Sequence, residues 1–409
     1  MFLVALLFAL VVHSTPSEAQ EEKPQEPTTQ KEQEEDKKPR RFYWENGLWI
    51  RARRADFRMK IGTQVQNDTA GFVSDDSQPV ELDGGVEWRR ARLYALGSFA
   101  KRWRFKFQWD FTGGRGPNLA DAWIGLEFKL FRQRLRFRSG RFSSTFGLEN
   151  DGSSNDILFM EQGLTSAFVP PQETGILLHS ESNRRRWDLS FSSSAEELEC
   201  LICNVVGVAG RYSTSFRLGH EDRRLHVGFN YARRWTTDET LNYAERPESH
   251  IAPIFVDTGP FLADRVDVGL VEAAYLDGAF SLQSEYGVVR AKRAVSDSPI
   301  FRAVYVSGSY ALTGESRSYV ESAGTIRRLR PKRELRDGSG GLGALEIALR
   351  FSHIDLNDED VMGGELTDFT AGLNWYPTYT TRVTFNVVRA SREMWKPVWI
   401  FQMRLQLAL

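Results

Sequence analysis

The chain has 409 residues and a formal net charge of −1 at pH 7, so it lacks the global basic field of a typical nucleic-acid-binding protein. Mean hydropathy is −0.41, and outside residues 2–12 no apolar run approaches the roughly 20 residues of a membrane helix, which excludes a helical membrane protein. Of the 53 basic residues 42 are Arg, a bias that suggests bound carboxylates or oxyanions, because the guanidinium is a rigid, permanently charged donor.

Residues 1–19 are predicted to be a signal peptide. The apolar block 2–12 is too short for a stable anchor, and Ser17 and Ala19 place small residues at the −3 and −1 positions of a cleavage site. The alternative interpretation, a buried N-terminal strand or helix, is disfavoured by residues 20–40, which are polar apart from prolines and are predicted to be a disordered periplasmic linker. The folded domain is predicted to span residues 41–409.

From residue 57 onward the sequence alternates with period 2, which is typical of strands with two different faces. In the run from Trp103 to Phe111 every odd position is aromatic and every even position is charged or polar. Runs of this kind are about 8–12 residues long, near the length of a tilted membrane strand. Sixteen are predicted, at 57–66, 88–99, 103–111, 119–128, 134–141, 174–181, 186–193, 206–214, 223–232, 265–275, 279–289, 301–311, 343–353, 366–376, 381–390 and 398–409.

The links between these runs also alternate in length. Tight turns are expected at 100–102, 129–133, 182–185, 276–278 and 377–380, and long links at 67–87, 142–173 and 233–264. Short turns on one rim and long loops on the other are typical of an outer-membrane barrel, whose short turns face the periplasm. One link departs from this rule, because 312–342 is long but belongs to the short-turn rim.

A soluble β-sandwich is the alternative interpretation of each strand. It is disfavoured because every run keeps one charged or small polar face and because aromatic residues cluster near strand ends, as in interfacial girdles. These aromatics are Trp103, Trp123, Trp187, Trp375, Tyr376 and Trp399. We therefore predict an all-β fold, a 16-stranded antiparallel transmembrane β-barrel in the bacterial outer membrane, with the lipid bilayer as its partner.

If the apolar faces meet lipid, the alternate residues line the lumen. The cationic candidates are Arg58, Lys60, Arg90, Arg92, Arg104, Lys106, Arg136, Arg138, Arg350 and Arg404. The acidic candidates are Asp110, Asp121, Glu127, Asp188, Glu346 and Asp368. Two interpretations stay open: the cations lower the barrier for small anions in a water-filled pore, or they pair with the carboxylates and brace the wall.

Two long segments are candidates for functional roles. The link 142–173 is rich in Ser, Gly and Phe, and a loop of this length in a compact fold is usually functional, here by folding inward to narrow a channel. The run 327–336, which contains Lys332, is densely basic. It is either a solvated charge run or a collector of anions at the pore mouth.

The residues from about Phe57 to Leu409 resemble the phosphate-selective porins O and P. The resemblance lies in the motifs Arg89–Leu93, Gly140–Phe142, Phe146–Glu149, Leu158–Glu161, Leu312–Arg317, Gly343–Glu346 and Gly372–Pro377. It implies a sixteen-stranded, homotrimeric outer-membrane porin for anions, with phosphate or polyphosphate as solutes. It also implies that the loop after the fifth strand, including Ser143, Ser144 and Glu149, enters the lumen together with the link before the thirteenth strand.

The sequence departs from the family pattern at this loop and at its last residue. The family commonly has Gly-Gln-Phe-Lys after the fifth strand, whereas this chain has Ser143 at the position of that Lys. Arg141 is a candidate replacement for the charge, one strand position away and pointing differently. The final residue is Leu409, where barrel proteins usually end in Phe. The departure at the loop disfavours strict phosphate selectivity.

Enzymatic alternatives have weak support in the sequence. Gly338–Gly343 matches G-x-G-x-x-G but is followed by a predicted strand, which favours a turn over a nucleotide site. Cys200 and Cys203 have redox spacing without a βαβ context and are predicted to form a small loop disulfide. No metal or cofactor site is predicted. A general-diffusion or plugged structural barrel, and an outer-membrane enzyme with a dyad at its rim, remain as alternatives to the anion porin.

Overall fold

The computed structural model describes most of the chain from residue 41 onward. The described residues are 41–52, 56–75, 79–112, 116–131, 133–170, 172–182, 184–193, 205–220, 222–236, 240–294, 296–335 and 340–409. The predicted signal peptide, the predicted linker and Cys200 and Cys203 lie outside these ranges, so those assignments stay predictions.

The fold is a closed antiparallel β-barrel of sixteen strands, as the alternation predicts. The strands are β1 (Phe57–Val73), β2 (Gly85–Phe99), β3 (Trp103–Asp110), β4 (Asn118–Leu130), β5 (Gln133–Phe142), β6 (Glu173–Glu181), β7 (Arg185–Ser193), β8 (Val205–Arg217), β9 (Arg224–Thr236), β10 (Arg265–Asp277), β11 (Phe280–Lys292), β12 (Ile300–Ala311), β13 (Ala344–Asp358), β14 (Val361–Tyr376), β15 (Thr381–Arg392) and β16 (Val398–Ala408). Each pairs with its neighbours in sequence.

The last strand closes the ring on the first. β16 pairs antiparallel with β1 over ten positions, from Trp399 opposite Val73 to Ala408 opposite Gln64. Closure leaves no strand edge in the wall, which is what a lipid environment requires of a sheet. No helix among the described residues is long and apolar enough to span a membrane.

A short N-terminal hairpin extends the sheet where β16 ends. Its two strands, Phe42–Trp44 and Leu48–Ala52, pair with each other. The second strand also pairs with β1, so that Ala52 lies opposite Phe57 and Leu48 lies opposite Ile61. The hairpin thus continues the sheet beyond the short C-terminal strand and covers the part of β1 that β16 does not reach.

The two faces of the wall differ as the period-2 pattern predicts. On β16, Ile400, Gln402 and Arg404 are buried, whereas Trp399 and Phe401 are about half exposed on the outer face. The predicted aromatics divide between the two faces. Four of them, Trp103, Trp187, Trp375 and Trp399, lie outward, but Trp123 and Tyr376 lie inward.

The links divide between two rims. One rim, the short-turn rim, has the tight turns 100–102, 278–279 and 377–380, together with the N-terminal hairpin and the C-terminus. The other, the long-loop rim, has 74–84, 143–172 and 237–264. The link 312–343 is long and lies on the short-turn rim, where the sequence places it. By the usual barrel orientation the long-loop rim is extracellular.

Near the long-loop rim the inner face of β10 to β16 becomes apolar, a feature that the alternation alone did not predict. Val266, Val268 and Leu270 of β10 are buried there in one cluster with Phe168 and Phe255 from two of the long links. Apolar inner positions are stable at this level because the links pack on them and exclude water.

The level of an outer residue within the membrane gives a first prediction. Phe385 lies mid-strand on the outer face of β15, and Leu407 lies on the outer face of β16 next to the short-turn rim. Phe385→Arg is expected to destabilise the barrel by about 2–4 kcal/mol and Leu407→Arg by no more than about 1 kcal/mol, because the cost of a cation on the lipid face falls toward the interface. Denaturant unfolding in lipid vesicles measures both. Equal costs would contradict the assigned lipid face.

Candidate functional site

Segment 143–172, which links β5 to β6, hydrogen-bonds to inner-face side chains on both sides of the ring. Gln64 of β1 donates to the hydroxyl of Ser154 at 2.8 Å. Asn230 of β9 accepts from the amide of Gly147 at 2.9 Å. Because β1 and β9 are eight strands apart in a ring of sixteen, these two contacts join the segment to opposite parts of the wall.

Two further links also contact the inner face. In the link between β9 and β10, Glu248 pairs with Arg350 of β13 at 2.5 Å, and both side chains are almost fully buried. In the link between β12 and β13, the hydroxyl of Tyr319 lies 2.7 Å from Nδ1 of His226 on β9. Both contacts lie on the half of the ring from β9 to β16.

A cavity of about 490 Å³ lies between segment 143–172 and the inner faces of β1 to β5. We call it the basic cavity. The charged side chains that line it are four cations and two carboxylates: Arg90, Arg92, Lys106, Arg138, Asp121 and Asp151. The segment contributes mainly small polar residues to the opposite side, namely Ser143, Ser144, Thr145, Ser153 and Ser154. The strand pattern therefore brings four of the predicted cations together.

Two of these cations are paired with carboxylates. Arg92 lies 2.6 Å from Asp110, and Lys106 lies 2.7 Å from Asp121. Each pair joins the inner faces of two adjacent strands. Arg92 and Lys106 thus connect neighbouring strands of the wall through ion pairs, and the carboxylates largely compensate their charges.

The other two cations of the cavity have no carboxylate partner among the described residues. Arg90 donates to the side-chain oxygen of Gln66 at 2.8 Å. The guanidinium of Arg138 lies 4.6 Å above the ring of Trp123, a cation–π contact. Neither contact neutralises the charge, so both guanidiniums contribute positive potential to the cavity.

Two more predicted cations share one carboxylate nearer the short-turn rim. Arg104 and Arg136, on β3 and β5, lie 2.8 and 2.7 Å from Glu127 of β4. Glu127 thus joins both cations to β4. They continue the row of cations from the basic cavity toward the short-turn rim.

Three predicted cations lie at the short-turn rim, outside the basic cavity. Arg58 is exposed and stacks on Trp49 at 4.2 Å. Lys60 faces a separate cavity of about 280 Å³ beside the C-terminus. Lys332 is exposed, and its ammonium donates to the carbonyl of Gly314 at 2.6 Å.

Other residues that the sequence predicted to line the lumen form buried ion pairs and hydrogen bonds instead. Arg404 donates to both oxygens of Asp68 at 2.6–2.7 Å and lies 2.7 Å from Glu161. Glu149 is buried and accepts from the amide of Gly163 at 2.9 Å. The predicted carboxylates Asp188, Glu346 and Asp368 are likewise buried and do not line the basic cavity.

The residues near the start of segment 143–172 occupy different environments. Ser143 is exposed to the basic cavity, and Ser144 lines it although it is buried. The structure does not bring Arg141 to the cavity. The register pairs Arg141 with Ala122 on the outer face, while Gly140 and Phe142 take the inner positions.

Sequence reasoning missed Arg89. The register between β1 and β2 shifts after Gln66, which faces Arg90, so that Asn67 faces Trp88 and Arg89 is an extra residue. This bulge turns both Arg89 and Arg90 to the inner face, where Arg89 binds Glu161 with two hydrogen bonds of 2.9 and 3.0 Å. Two consecutive Arg residues in an alternating run were the only signal of the irregularity.

Glu161 connects the bulge to the seam of the barrel. Burial by itself would raise the pKa of Glu161, but the Arg89 and Arg404 guanidiniums outweigh burial and hold this pKa well below its usual range. The carboxylate therefore stays ionised and joins β2, β16 and segment 143–172. It also borders a cavity of about 310 Å³ toward the long-loop rim, which Glu245 lines as well.

The family model of the phosphate-selective porins O and P matches residues 59–408 of this chain. The chain belongs to this family. It is 23% identical over 392 residues to Porin O of Pseudomonas aeruginosa, with 85% of this chain and 86% of that protein covered. It is 29% identical over 329 residues to an uncharacterized protein of Caulobacter vibrioides. That match covers 75% of this chain and 62% of the Caulobacter protein, less than two thirds of its length.

Solved porin structures share the fold. The anion-selective porin of Comamonas acidovorans superposes with a TM-score of 0.55 at 11% identity, covering 86% of this chain and all of that one. The channel DcaP of Acinetobacter baumannii gives 0.52 at 9% identity, covering 88% and 99%. The trimer form of OmpT from Vibrio cholerae gives 0.53 at 9% identity, covering 86% and 99%.

Family and fold together make this protein an outer-membrane porin. Proteins of this family and fold are channels and not enzymes. The prediction of the family, the barrel and the outer-membrane location is confirmed.

The pKa of Glu245 gives a second prediction. Burial raises this pKa to about 7, and the carboxyl accepts from the amide of Arg246 at 3.0 Å. Because the unfolded link releases this proton near pH 4.3 and the folded link keeps it until about pH 7, folding of the link is expected to lose roughly 3 kcal/mol between pH 5 and pH 8.

Hydrogen-exchange protection of residues 240–264 at pH 5 and pH 8, corrected for the intrinsic exchange rate, measures this loss. Glu245→Gln should abolish the difference between the two pH values. The control Asp257→Asn, at an exposed position of the same link, should keep it. Protection that rises with pH would contradict the assignment.

Proposed function

We propose that the protein conducts small anions by passive diffusion and that the basic cavity is the narrow part of their path. The observation that carries the proposal is the pair of uncompensated guanidiniums, Arg90 and Arg138, in a cavity between the wall and segment 143–172. A sixteen-stranded barrel is wide enough to hold water. Fixed cations in a watered constriction lower the energy of an anion and raise that of a cation.

The arrangement of the other cations supports a continuous path. Arg90 and Arg92 are successive inner positions of β2, and Lys106 and Arg104 follow on the next strand. Toward the short-turn rim the path continues past Arg136 and then Lys60. A desolvated anion needs cations at short intervals, because each step away from one charge must be offset by approach to the next.

Phosphate or polyphosphate is the more specific part of the proposal. The name of the family and the cluster of Arg residues support it, since a guanidinium donates two parallel hydrogen bonds to a phosphoryl group. Ser143 weakens it, because the family commonly has a Lys there. A channel with Arg90 and Arg138 but without that Lys would prefer anions in general and bind phosphate less tightly.

The alternative candidate is a plugged structural barrel. The contacts of three links with the inner face, and the burial of Arg350 and Arg404 in ion pairs, favour it. The alternative predicts a folded protein without stepwise conductance in a planar bilayer, whereas the anion porin predicts steps and an anion-signed potential.

The N-terminal segments outside the described residues are also assigned functions. Residues 1–19 are proposed to direct export and residues 20–40 to connect to the barrel. A homotrimer is proposed on the family resemblance, and the trimer form of the OmpT structure supports it.

The third prediction concerns selectivity. Arg90→Gln together with Arg138→Gln is expected to lower the permeability ratio of Cl⁻ to K⁺ by about fifteenfold per charge. A unit charge about 5 Å away in water lowers the energy of Cl⁻ and raises that of K⁺ by about 0.8 kcal/mol each, which is about fourfold for each ion. The zero-current potential under a KCl gradient measures the ratio. Lys101→Gln together with Arg102→Gln is the control, since both residues are exposed in the turn 100–102 at the short-turn rim and do not line the cavity. An equal effect of the control would locate the selectivity elsewhere.

The fourth prediction concerns phosphate. Ser143→Lys adds a cation to the basic cavity, and the phosphate concentration that half-blocks chloride conductance is expected to fall about fourfold or more. Ser296→Lys adds the same charge at an exposed position of the turn 293–299 and should leave the block unchanged. An Ser143→Lys variant with higher chloride preference but unchanged phosphate block would favour a general anion pore.

A further inference from the structure

The outer face of β9 to β12 carries a group of basic residues at the end of each strand next to the long-loop rim. We call this group the basic belt; its members are Arg233, Arg265, Arg290, Lys292 and Arg302. All five occupy strand positions that alternate with buried inner residues such as Val266 and Val289. The belt therefore faces away from the lumen and has no part in the proposed anion path.

The belt lies at the edge of the apolar band. Phe280 and Arg290 are outer residues at opposite ends of β11 and are ten residues apart. At about 3.4 Å per residue and a tilt of about 40°, they differ in height by roughly 26 Å, close to the height of about 25 Å of the apolar band of such barrels. Arg290 thus reaches the level of lipid headgroups on the extracellular side. The exposed aromatics Tyr286 and Trp235 nearby are typical of this interface.

Little of the charge of the belt is compensated within the chain. Asp267 accepts from Arg233 at 2.6 Å and from Arg265 at 3.0 Å, so one carboxylate serves two cations. Arg290, Lys292 and Arg302 are exposed, and in the described part of the chain their side chains have no hydrogen bond or ion pair.

The strand register adds a second observation. Arg265 lies directly opposite Lys292 in the pairing of β10 with β11, and like charges in this position destabilise a sheet. On the far side Asp355 lies opposite Arg302, but its carboxylate accepts from the amide of Asn357 at 2.9 Å and makes no ion pair with Arg302. An external anion between the strands would relieve the repulsion.

The basic outer residues at this rim are concentrated on one arc of the wall; outside it, the described strands carry single ones, Arg141 of β5 and Arg389 of β15. At the corresponding ends of β1 and β2 the outer residues are apolar, namely Val73, Val86 and Trp88. A general need for solvated charges at this rim would place such charges around the whole ring. The arc from β9 to β12 is instead a local concentration of cations opposite the seam of the barrel.

We propose that the basic belt binds the phosphate groups of lipopolysaccharide, the phosphorylated glycolipid of the outer leaflet. Its phosphates lie at the level of the belt, directly above the acyl chains that contact the apolar band. Arg side chains hold phosphate through charge-assisted, bidentate hydrogen bonds. The glycolipid neutralises the belt while its acyl chains cover the apolar outer residues below.

The test compares two variants with equal loss of charge. The belt variant is Arg290→Gln, Lys292→Gln and Arg302→Gln; the control is Lys101→Gln, Arg102→Gln and Lys129→Gln, at the short-turn rim. Delipidated protein in detergent is titrated with purified lipopolysaccharide and with the same glycolipid after chemical removal of its phosphates, and binding is measured by native mass spectrometry. Heat-modifiable migration in electrophoresis verifies folding, and single substitutions replace the triple variant if it does not fold.

The wild type and the control should bind lipopolysaccharide equally. The belt variant should bind it at least about tenfold more weakly. A variant with Arg290→Lys and Arg302→Lys, which keeps the charges, should retain most of the binding. The dephosphorylated glycolipid should bind all three proteins weakly. Equal binding by the belt variant, or equal binding of both glycolipids, would overturn the proposal. A belt variant that loses its oligomeric state but keeps the glycolipid would also overturn it and make the belt an interface between copies of the chain.

Discussion

The structure depends on one constraint: in hydrocarbon every backbone N–H and C=O of a strand must be paired within the protein. An open sheet cannot meet this condition at its edges, so the sheet closes, and here β16 pairs with β1 over ten positions. Closure fixes the rest of the architecture. It separates an outer face that meets lipid from an inner face that does not. Because β16 pairs with β1 in the antiparallel sense, the number of strands is even. The N-terminal hairpin satisfies the part of β1 that extends past β16.

The inner face holds its links through buried charges. Glu161 joins Arg89 to Arg404, and Glu248 joins the link between β9 and β10 to Arg350. Removing such groups from water is costly, and the cost is offset only when each charge has a well-placed partner. Loss of Glu161 would leave Arg89 without its carboxylate. Loss of Glu248 would leave Arg350 with only the more distant carboxylate of Glu149, at 3.6 Å. The links are consequently coupled to the wall, and the space that remains open is set by these pairs as much as by the width of the barrel.

The abundance of Arg has a different meaning at different places in this molecule. On β9 to β16 the inner guanidiniums mostly form ion pairs with carboxylates or donate to main-chain carbonyls of the links. On β1 to β5 the cations outnumber the carboxylates, and Arg90 and Arg138 retain their charge. On the outer face of β9 to β12 the same side chain is exposed at the membrane interface. A count of Arg residues thus indicates interaction with anions but does not distinguish a structural carboxylate from a mobile solute or a lipid phosphate.

The sequence by itself determined the strands, their number, the two faces and the two rims, because side chains of a strand alternate between two environments and lipid requires the outer one to be apolar. The row from Trp103 to Asp110 shows this directly. It also placed Arg90, Arg92, Lys106 and Arg138 on the inner face. Only the tertiary structure decided which cations keep their charge, because each partner comes from a distant part of the chain: Asp68 and Glu161 for Arg404, and Glu161 again for Arg89. The bulge that turns Arg89 inward arises from the pairing of β1 with β2, and a pattern read along one strand contains no information about the register of its neighbour.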